Sequence, residues 1–273
     1  MVIRYDTPVN LLVATKGHPF DKQSFFGMFD AMRGLAWTHV EQPAAAHFLE
    51  PLAAREFAAI VFYDVPGIQF RTPRPPSLVE PSEQTKAGFE ALLEAGKPLL
   101  FLHHAVAGWP TWDRYAEAIG ARFFYRKGRY KGREYADSGY VFPVTYRAEA
   151  VGSHPVLSGL QDGFDLTDEL YLFPLLEDDV VPLLRARYAF VQENFHSAAN
   201  ALEGRMWTSD GWRHEEGTDL IAWARRVGNS PVVYVQAGND GQTFRNPAYA
   251  KLIRNAIDWL TGPEAAGWAR EKR

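Results

Sequence analysis

Two adjacent histidines, His103-His104, follow directly on the apolar run Lys97-Pro98-Leu99-Leu100-Phe101-Leu102. Doubly wound hydrolases expose their nucleophile where a strand turns sharply into a helix, and here that place carries imidazole instead of serine or cysteine. The chemistry left to it is proton transfer, ligation or hydrogen bonding. Asp168-Glu169, just before Leu170-Tyr171, supplies an acidic pair. An imidazole and a carboxylate tune each other toward neutral pH, which suits proton abstraction next to a carbonyl. His103, His104, Asp168 and Glu169 are therefore the candidate catalytic residues. His18, Asp21, Asp64, Trp109, Tyr171, Asn239 and Asp240 are the candidate substrate-binding residues, most of them because they too follow apolar runs.

Each has a blander reading. His103 could cap the following helix, and His18 could simply occupy the tight turn between Gly17 and Pro19. Asp64 could cap the turn Val65-Pro66-Gly67, and Asp240 lies in a Gly-Asn-Asp-Gly turn signature where such residues are common. Their shared position at strand ends is what favours a site. A His/carboxylate set of this kind could hold zinc, manganese or iron, but no H-x-x-x-H spacing occurs, so the question of a divalent metal stays open. No G-x-G-x-x-G or P-loop sequence appears, and no nucleotide cofactor is expected. Trp109, Trp112, Trp207 and Trp212 flank the candidate segments; aromatic rings stack well on sugar faces and fill cores equally well.

The elements that position these residues alternate. An apolar run at 9–14 ends at Gly17-His18-Pro19, and Phe25, Phe26, Phe29 and Met32 then recur at helical spacing behind Asp21 or Ser24 as N-cap. Strands are expected at 36–41 and 57–63, the second ending at Asp64. A helix follows Pro81-Ser82, with Phe89, Leu92 and Leu93 as its stripe and Gly96 past its end. After His104 a helical pattern resumes from Trp109 through Tyr115 to Gly120. The middle of the chain is less regular, with strands expected at 140–146 and 180–188. Two strands at 220–227 and 231–236 are joined by Gly228-Asn229-Ser230, and a last helix starts at Asn246-Pro247 and runs to Gly262. Helices alternating with wholly apolar strands predict an α/β fold: a doubly wound, mostly parallel sheet with helices on both faces and an irregular β-containing insertion in the middle. Such sheets bind ligands beyond the C-terminal strand ends.

A chain of 273 residues, 47% hydrophobic and 23% charged, has ordinary globular composition. The Pro-rich stretches at 72–76 and 142–155 read as loops within one domain. A net charge of −4 provides no field for phosphate neutralisation, so nucleic acid is not an expected partner. The basic, aromatic segment 126–140 is the local exception and could serve as a solvated loop, an anion or sugar grip, or a subunit contact. With no cysteine there is no disulfide, thiolate nucleophile or Cys-based metal site. Residues 1–10 lack a signal-peptide core and no apolar run reaches about 18 residues, so a cytoplasmic protein with no membrane association is expected.

Several segments together resemble the ThuA-like (trehalose utilisation) family: Lys16-Gly17-His18-Pro19-Phe20-Asp21, Val61-Phe62-Tyr63-Asp64-Val65-Pro66-Gly67, Leu102-His103-His104-Ala105 with Trp109-Pro110, Thr167-Asp168-Glu169-Leu170-Tyr171, and Gly238-Asn239-Asp240 with Thr243-Phe244-Arg245-Asn246-Pro247. That family is similar to class I glutamine amidotransferases without their catalytic triad. The family pattern has one histidine at the elbow and a histidine between the glycine and aspartate near the end, where this chain has His103-His104 and Asn239. The resemblance implies a single ThuA-like domain over 1–273, an amidotransferase-like or flavodoxin-like sheet, and a role in sugar or keto-sugar metabolism without amidotransferase activity. The expected function is thus acid–base isomerisation or hydrolysis of a small carbohydrate. A non-catalytic sugar-binding or regulatory module is the alternative, and a homo-oligomer assembled through 125–140 is a third.

Overall fold

The structure is a computed structural model and describes residues 9–70 and 76–271. The segment before Val9 and the Pro-rich stretch at 72–76, except Pro76, lie outside the described residues. In chain order the strands are β1 (Val9–Lys16), β2 (Leu35–Glu41), β3 (Ala59–Asp64), β4 (Ile68–Gln69), β5 (Ser77–Leu78), β6 (Leu99–Leu102), β7 (Gly128–Tyr130), β8 (Arg133–Tyr135), β9 (Gly139–Ala150), β10 (Phe164–Leu172), β11 (Val181–Arg187), β12 (His196–Ser197), β13 (Leu220–Val227) and β14 (Ser230–Val235). The helices are α1 (Lys22–Asp30), α2 (Pro51–Ala54), α3 (Glu83–Ala95), α4 (Asp113–Ile119), α5 (Ala198–Leu202), α6 (Gly241–Phe244), α7 (Pro247–Thr261) and α8 (Pro263–Arg270).

Ten strands form one sheet in the order β10-β9-β11-β13-β14-β6-β3-β1-β2, with β12 paired to β9. From β2 to β14 every pairing is parallel. Beyond β14 the pairings turn antiparallel. The irregular middle of the chain is therefore the continuation of the same sheet. β3 and β6 are buried along their whole length, which is why they read as unbroken apolar runs rather than as alternation. Along β1, Leu11 and Val13 face a core shared with α1 and α7, while Leu12 and Ala14 face a second core shared with α3 and α4. The two-residue period of a strand thus feeds two helical layers, one on each face.

Local chemistry fixes where the parallel strands hand over to helices. Asp21 accepts a hydrogen bond from the Ser24 N–H and caps α1. Ser82 caps α3, which ends on Gly96 at φ +79°. Asn246 caps α7 with Pro247 in its first turn. After the elbow, α4 begins at Asp113 and not at Trp109. Residues His103–Ala107 form a 3₁₀ turn instead, and the Trp109 N–H donates to the Pro66 carbonyl at 2.7 Å, tying this turn to the loop after β3. β10 gives Asp168 and Glu169 their place in the sheet, beside β9; the pairing slips between Asp168 and Leu170. The basic segment forms the β7–β8 hairpin, where Lys127 and Arg129 pair with Glu134, Lys131 with Glu177 and Arg133 with Glu215. Among the described residues no helix is long and apolar enough to cross a membrane.

Candidate active site

The site is built on the elbow after β6. His103 sits at φ +47°, a conformation that costs a non-glycine residue about 1–3 kcal/mol and that surrounding contacts must hold. Those contacts are present: the Tyr234 hydroxyl donates to the His103 carbonyl at 3.1 Å, and the ring is gripped at both nitrogens. Nδ1 lies 2.7 Å from the Gln236 carbonyl, which can only accept, so Nδ1 carries a proton. Nε2 faces Glu169 Oε2 at 3.1 Å and the Tyr171 hydroxyl at 3.0 Å. Burial opposes a charge on this ring. The hydrogen bond and charge of Glu169, the charge of Asp168 and the Gln236 carbonyl outweigh it, and the His103 pKa is raised above the ordinary imidazole value. His103 and Glu169 are thus hydrogen-bonded at the base of a cleft, with Tyr171 stacked on the imidazole at 4.9 Å between ring centres.

His104 is the opposite case. It is buried, its ring lies 4.2 Å from that of Tyr63, and among the described residues neither ring nitrogen finds a hydrogen-bond partner. Burial first, then the charges of His103 and His18, hold its pKa well below the ordinary value, with the Tyr63 backbone acting weakly the other way from outside hydrogen-bond geometry. The ring is neutral, with one N–H and one lone pair unused. Leaving such groups unpaired costs about 1–3 kcal/mol each. His18 is 4.9 Å away, centre to centre, and its Nδ1 donates to the Pro19 carbonyl at 2.8 Å, which leaves Nε2 as a free acceptor. Desolvation, then the charge of His103, lowers its pKa.

A cavity of about 570 Å³ opens above these rings, within the range of small-molecule sites. His18, His104, Glu169, Tyr171 and Asn239 form its polar floor. Phe70, Phe123, Tyr125, Tyr140, Phe142 and Trp207 rise around them as an aromatic wall. Burial, and then the Glu169 charge, raise the phenol pKa values of Tyr171 and Tyr125, so both hydroxyls stay protonated.

The remaining candidates lie behind or beside this cavity. Asp168 is fully buried and accepts from the Gly238 N–H at 2.6 Å and the Asn239 N–H at 3.0 Å. Burial raises its pKa against the pull of His103 and those amides. Its side chain straps down the 236–239 turn, whose Gly238 and Ala237 carbonyls also accept from the Tyr63 and Tyr249 hydroxyls. Asp168 and Glu169 thus have different surroundings, and it is Glu169 that reaches the cavity. Asp21 and Asp240 are helix caps, Asp21 also meeting Arg245 at 3.3 Å. Trp109 packs over Gly67 outside the cavity lining, and buried Asp64 accepts from the Gln42 amide at 2.7 Å. Sequence reasoning did not single out Phe70, Tyr140 or Phe142 as site residues, because they come from β9 and loops whose pattern was weak. Among the described residues, no group of three or more His, Cys, Asp or Glu side chains is disposed to hold a metal ion.

An α/β protein with a neutral histidine and a His–Glu pair at its strand ends is the class that fold and site define. Residues 24–260 match the ThuA family model, described as trehalose utilisation, and the chain belongs to that family. No curated protein matches it in sequence. A ThuA-like protein of Parabacteroides merdae superposes with a TM-score of 0.66 at 14% identity, covering 97% of this chain and 93% of that one. One from Bacteroides uniformis gives 0.62 at 15% identity, covering 95% and 94%. A cytoplasmic protein of Salmonella typhimurium LT2 gives 0.54 at 11% identity, covering 92% and 99%. At these identities the likeness concerns the fold.

Proposed function

We propose that the protein is an enzyme that acts on a sugar or keto-sugar by proton transfer at the cavity floor. The observation that carries this reading is His104: a buried imidazole without a partner among the described residues, on the floor of a cavity whose other polar groups are the His18 imidazole, a carboxylate, phenols and an amide. A base of this kind takes the proton from a carbon next to a carbonyl. The carbonyl oxygen is then protonated by Tyr171, whose phenol is backed by the His103–Glu169 pair, and an enediol results. Return of the proton from His104 to the former carbonyl carbon, while the other enediol hydroxyl gives its proton back to Tyr171, completes an isomerisation. The rings next to the floor, Phe123 edge-on to Tyr171 and Tyr125 beside it, suit the apolar face of a pyranose ring, and membership of a family described as trehalose utilisation agrees with a carbohydrate ligand. Asn239, whose backbone Asp168 holds in place, orients a substrate hydroxyl.

One observation favours a second reading. Glu169, Tyr171 and both nitrogens of His103 already satisfy one another, as they would in a module that binds a sugar without turning it over. A thermal-shift screen of simple sugars, disaccharides and their 3-keto derivatives, with product analysis on every compound that binds, separates the two. A ligand at a hundredfold excess over its Kd stabilises by about 2.7 kcal/mol, well within detection. Stabilisation with turnover supports the enzyme and stabilisation without turnover supports the module. A panel with no stabilising sugar removes both.

A further inference from the structure

Trp207 is the least explained residue around the cavity. It lies at φ +59°, a left-handed conformation that is uncommon for a bulky side chain, and half of its surface, 51%, faces solvent. The Tyr140 hydroxyl holds it there, accepting the Trp207 N–H at 3.0 Å, and the two rings meet at 5.3 Å between centres. Met206 beside it is 49% exposed, and Phe70 across the opening is 45% exposed. These three are among the few large apolar side chains that the described residues leave in water, and all three line the same cavity. Apolar surface gathered at the mouth of a cavity marks a place where something apolar is covered.

The imidazoles, the carboxylate and the amide of the lining, His18, His104, Glu169 and Asn239, gather around the elbow at His103. Above the floor the lining is phenyl rings, methionine and, from α5, the small residues Ala198 and Ala201 with Leu202. Tyr140 spends its hydroxyl on Trp207 and on the Met206 sulfur at 3.9 Å. A second sugar in this outer half would lose water from its hydroxyls and find almost nothing to replace it, a cost of about 1–3 kcal/mol for each unpaired group. A flat apolar ring loses nothing of the kind and gains face and edge contacts with Trp207, Phe70 and Tyr140.

From this division we infer that the outer half of the cavity is a subsite for an apolar, flat aglycone, so that the ligand is an aryl-type keto-glycoside with its oxidised sugar ring on the His104–Glu169 floor and its aromatic ring against Trp207 and Phe70. The inference rests on the carbohydrate reading of the floor. It names the substrate class and makes Trp207 and Phe70 specificity-determining residues.

Titration calorimetry tests it on the full chain with four sets of probes: α- and β-phenyl glycosides of glucose, galactose, mannose and xylose, the four parent sugars, gluco- and galacto-disaccharides, each of these three sets also as 3-keto derivatives, and phenol. The expected result is at least one phenyl glycoside whose Kd is about ten-fold or more below that of its parent sugar and of the matching disaccharide. That gain disappears in Trp207→Ala and weakens in Phe70→Ala, while affinity for the parent sugar stays within about two-fold in both. Trp207→Phe restores most of the gain, which a folding defect would not allow. A disaccharide that binds as tightly as the phenyl glycoside, or a phenyl gain that survives both alanine variants, overturns the inference and leaves the carbohydrate floor standing. Phenol and phenyl glycosides binding equally while no sugar binds overturns the carbohydrate reading, and the two-part ligand with it. No binding by any probe overturns both.

Discussion

At the scale of single residues, His104 is where stability and function part company. A buried imidazole with both nitrogens unpaired is a cost in the folded state, and phenylalanine of similar shape would remove it. We expect His104→Phe to fold with stability within about 1 kcal/mol of the wild type, the relief of two unpaired groups offsetting the strain of a larger ring, and to lose sugar binding and turnover. Glu169 governs the neighbouring ring: in Glu169→Gln the charge that helps raise the His103 pKa is gone, and NMR titration should show it falling. Because that pKa is raised in the folded state, its stabilisation is complete below the ordinary value and is lost as pH rises through the raised one; the variant loses this dependence. Asp64 gives a second titration. Burial, opposed by the Gln42 hydrogen bond, pushes its pKa up from 3.8 to about 6. The folded state therefore holds the proton more tightly than the unfolded chain. Stability from this source is full below pH 4 and is lost as pH rises through about 6, with a ceiling near ~3 kcal/mol. Asp64→Asn should flatten the pH dependence of urea unfolding over this window and be more stable than wild type at pH 8; an unchanged slope would show that Asp64 does not titrate there.

At the scale of elements, the turn after β14 carries the site, and Asp168 carries the turn. Truncation in Asp168→Ala strands the Gly238 and Asn239 amides and should cost about 3 kcal/mol in unfolding free energy, with weakened ligand binding because Asn239 shifts. Gly238→Ala attacks the same turn from the other side: the backbone is at φ +130°, and an added methyl would stand 2.7 Å from the Tyr249 hydroxyl. Here the sequence was only half legible. β1, β3, β6, α3 and α7 were plain because apolar runs, caps and a C-terminal glycine coincide in them. The elbow was legible for the same reason, as an apolar run that stops at two histidines. β10 was not: its buried positions Phe164, Leu166, Asp168, Leu170 and Leu172 alternate correctly, but a buried carboxylate interrupts the apolar pattern. Sequence could not separate Asp168 from Glu169, because their roles are set by the partners each face of β10 meets. Nor did it show the aromatic wall, whose rings come from β9, from the loop after β4 and from 206–207, and meet only in the folded chain.

At the scale of the whole molecule, one sheet runs from the N-terminal parallel strands through the antiparallel middle. β13 lies between them, paired to β14 on one side and β11 on the other. We expect a single unfolding transition, coincident by far-UV circular dichroism and tryptophan fluorescence; two separated transitions would divide the chain into two domains. Convergence of the parallel strand ends is what gathers His18, His103, His104 and Asn239 although they are far apart in sequence, and the antiparallel half supplies Glu169, Tyr171 and the wall. The account's central claim is that this convergence performs proton transfer on a carbohydrate. Its most direct test is hydrogen exchange at carbon: the protein is incubated in deuterated buffer with 3-keto derivatives of glucose and its disaccharides, and the C–H groups beside the carbonyl are followed by NMR. The account predicts exchange above the buffer rate with the wild type and none above it with His104→Phe. Exchange that persists in the variant, or no exchange with any keto-sugar that binds, would contradict it.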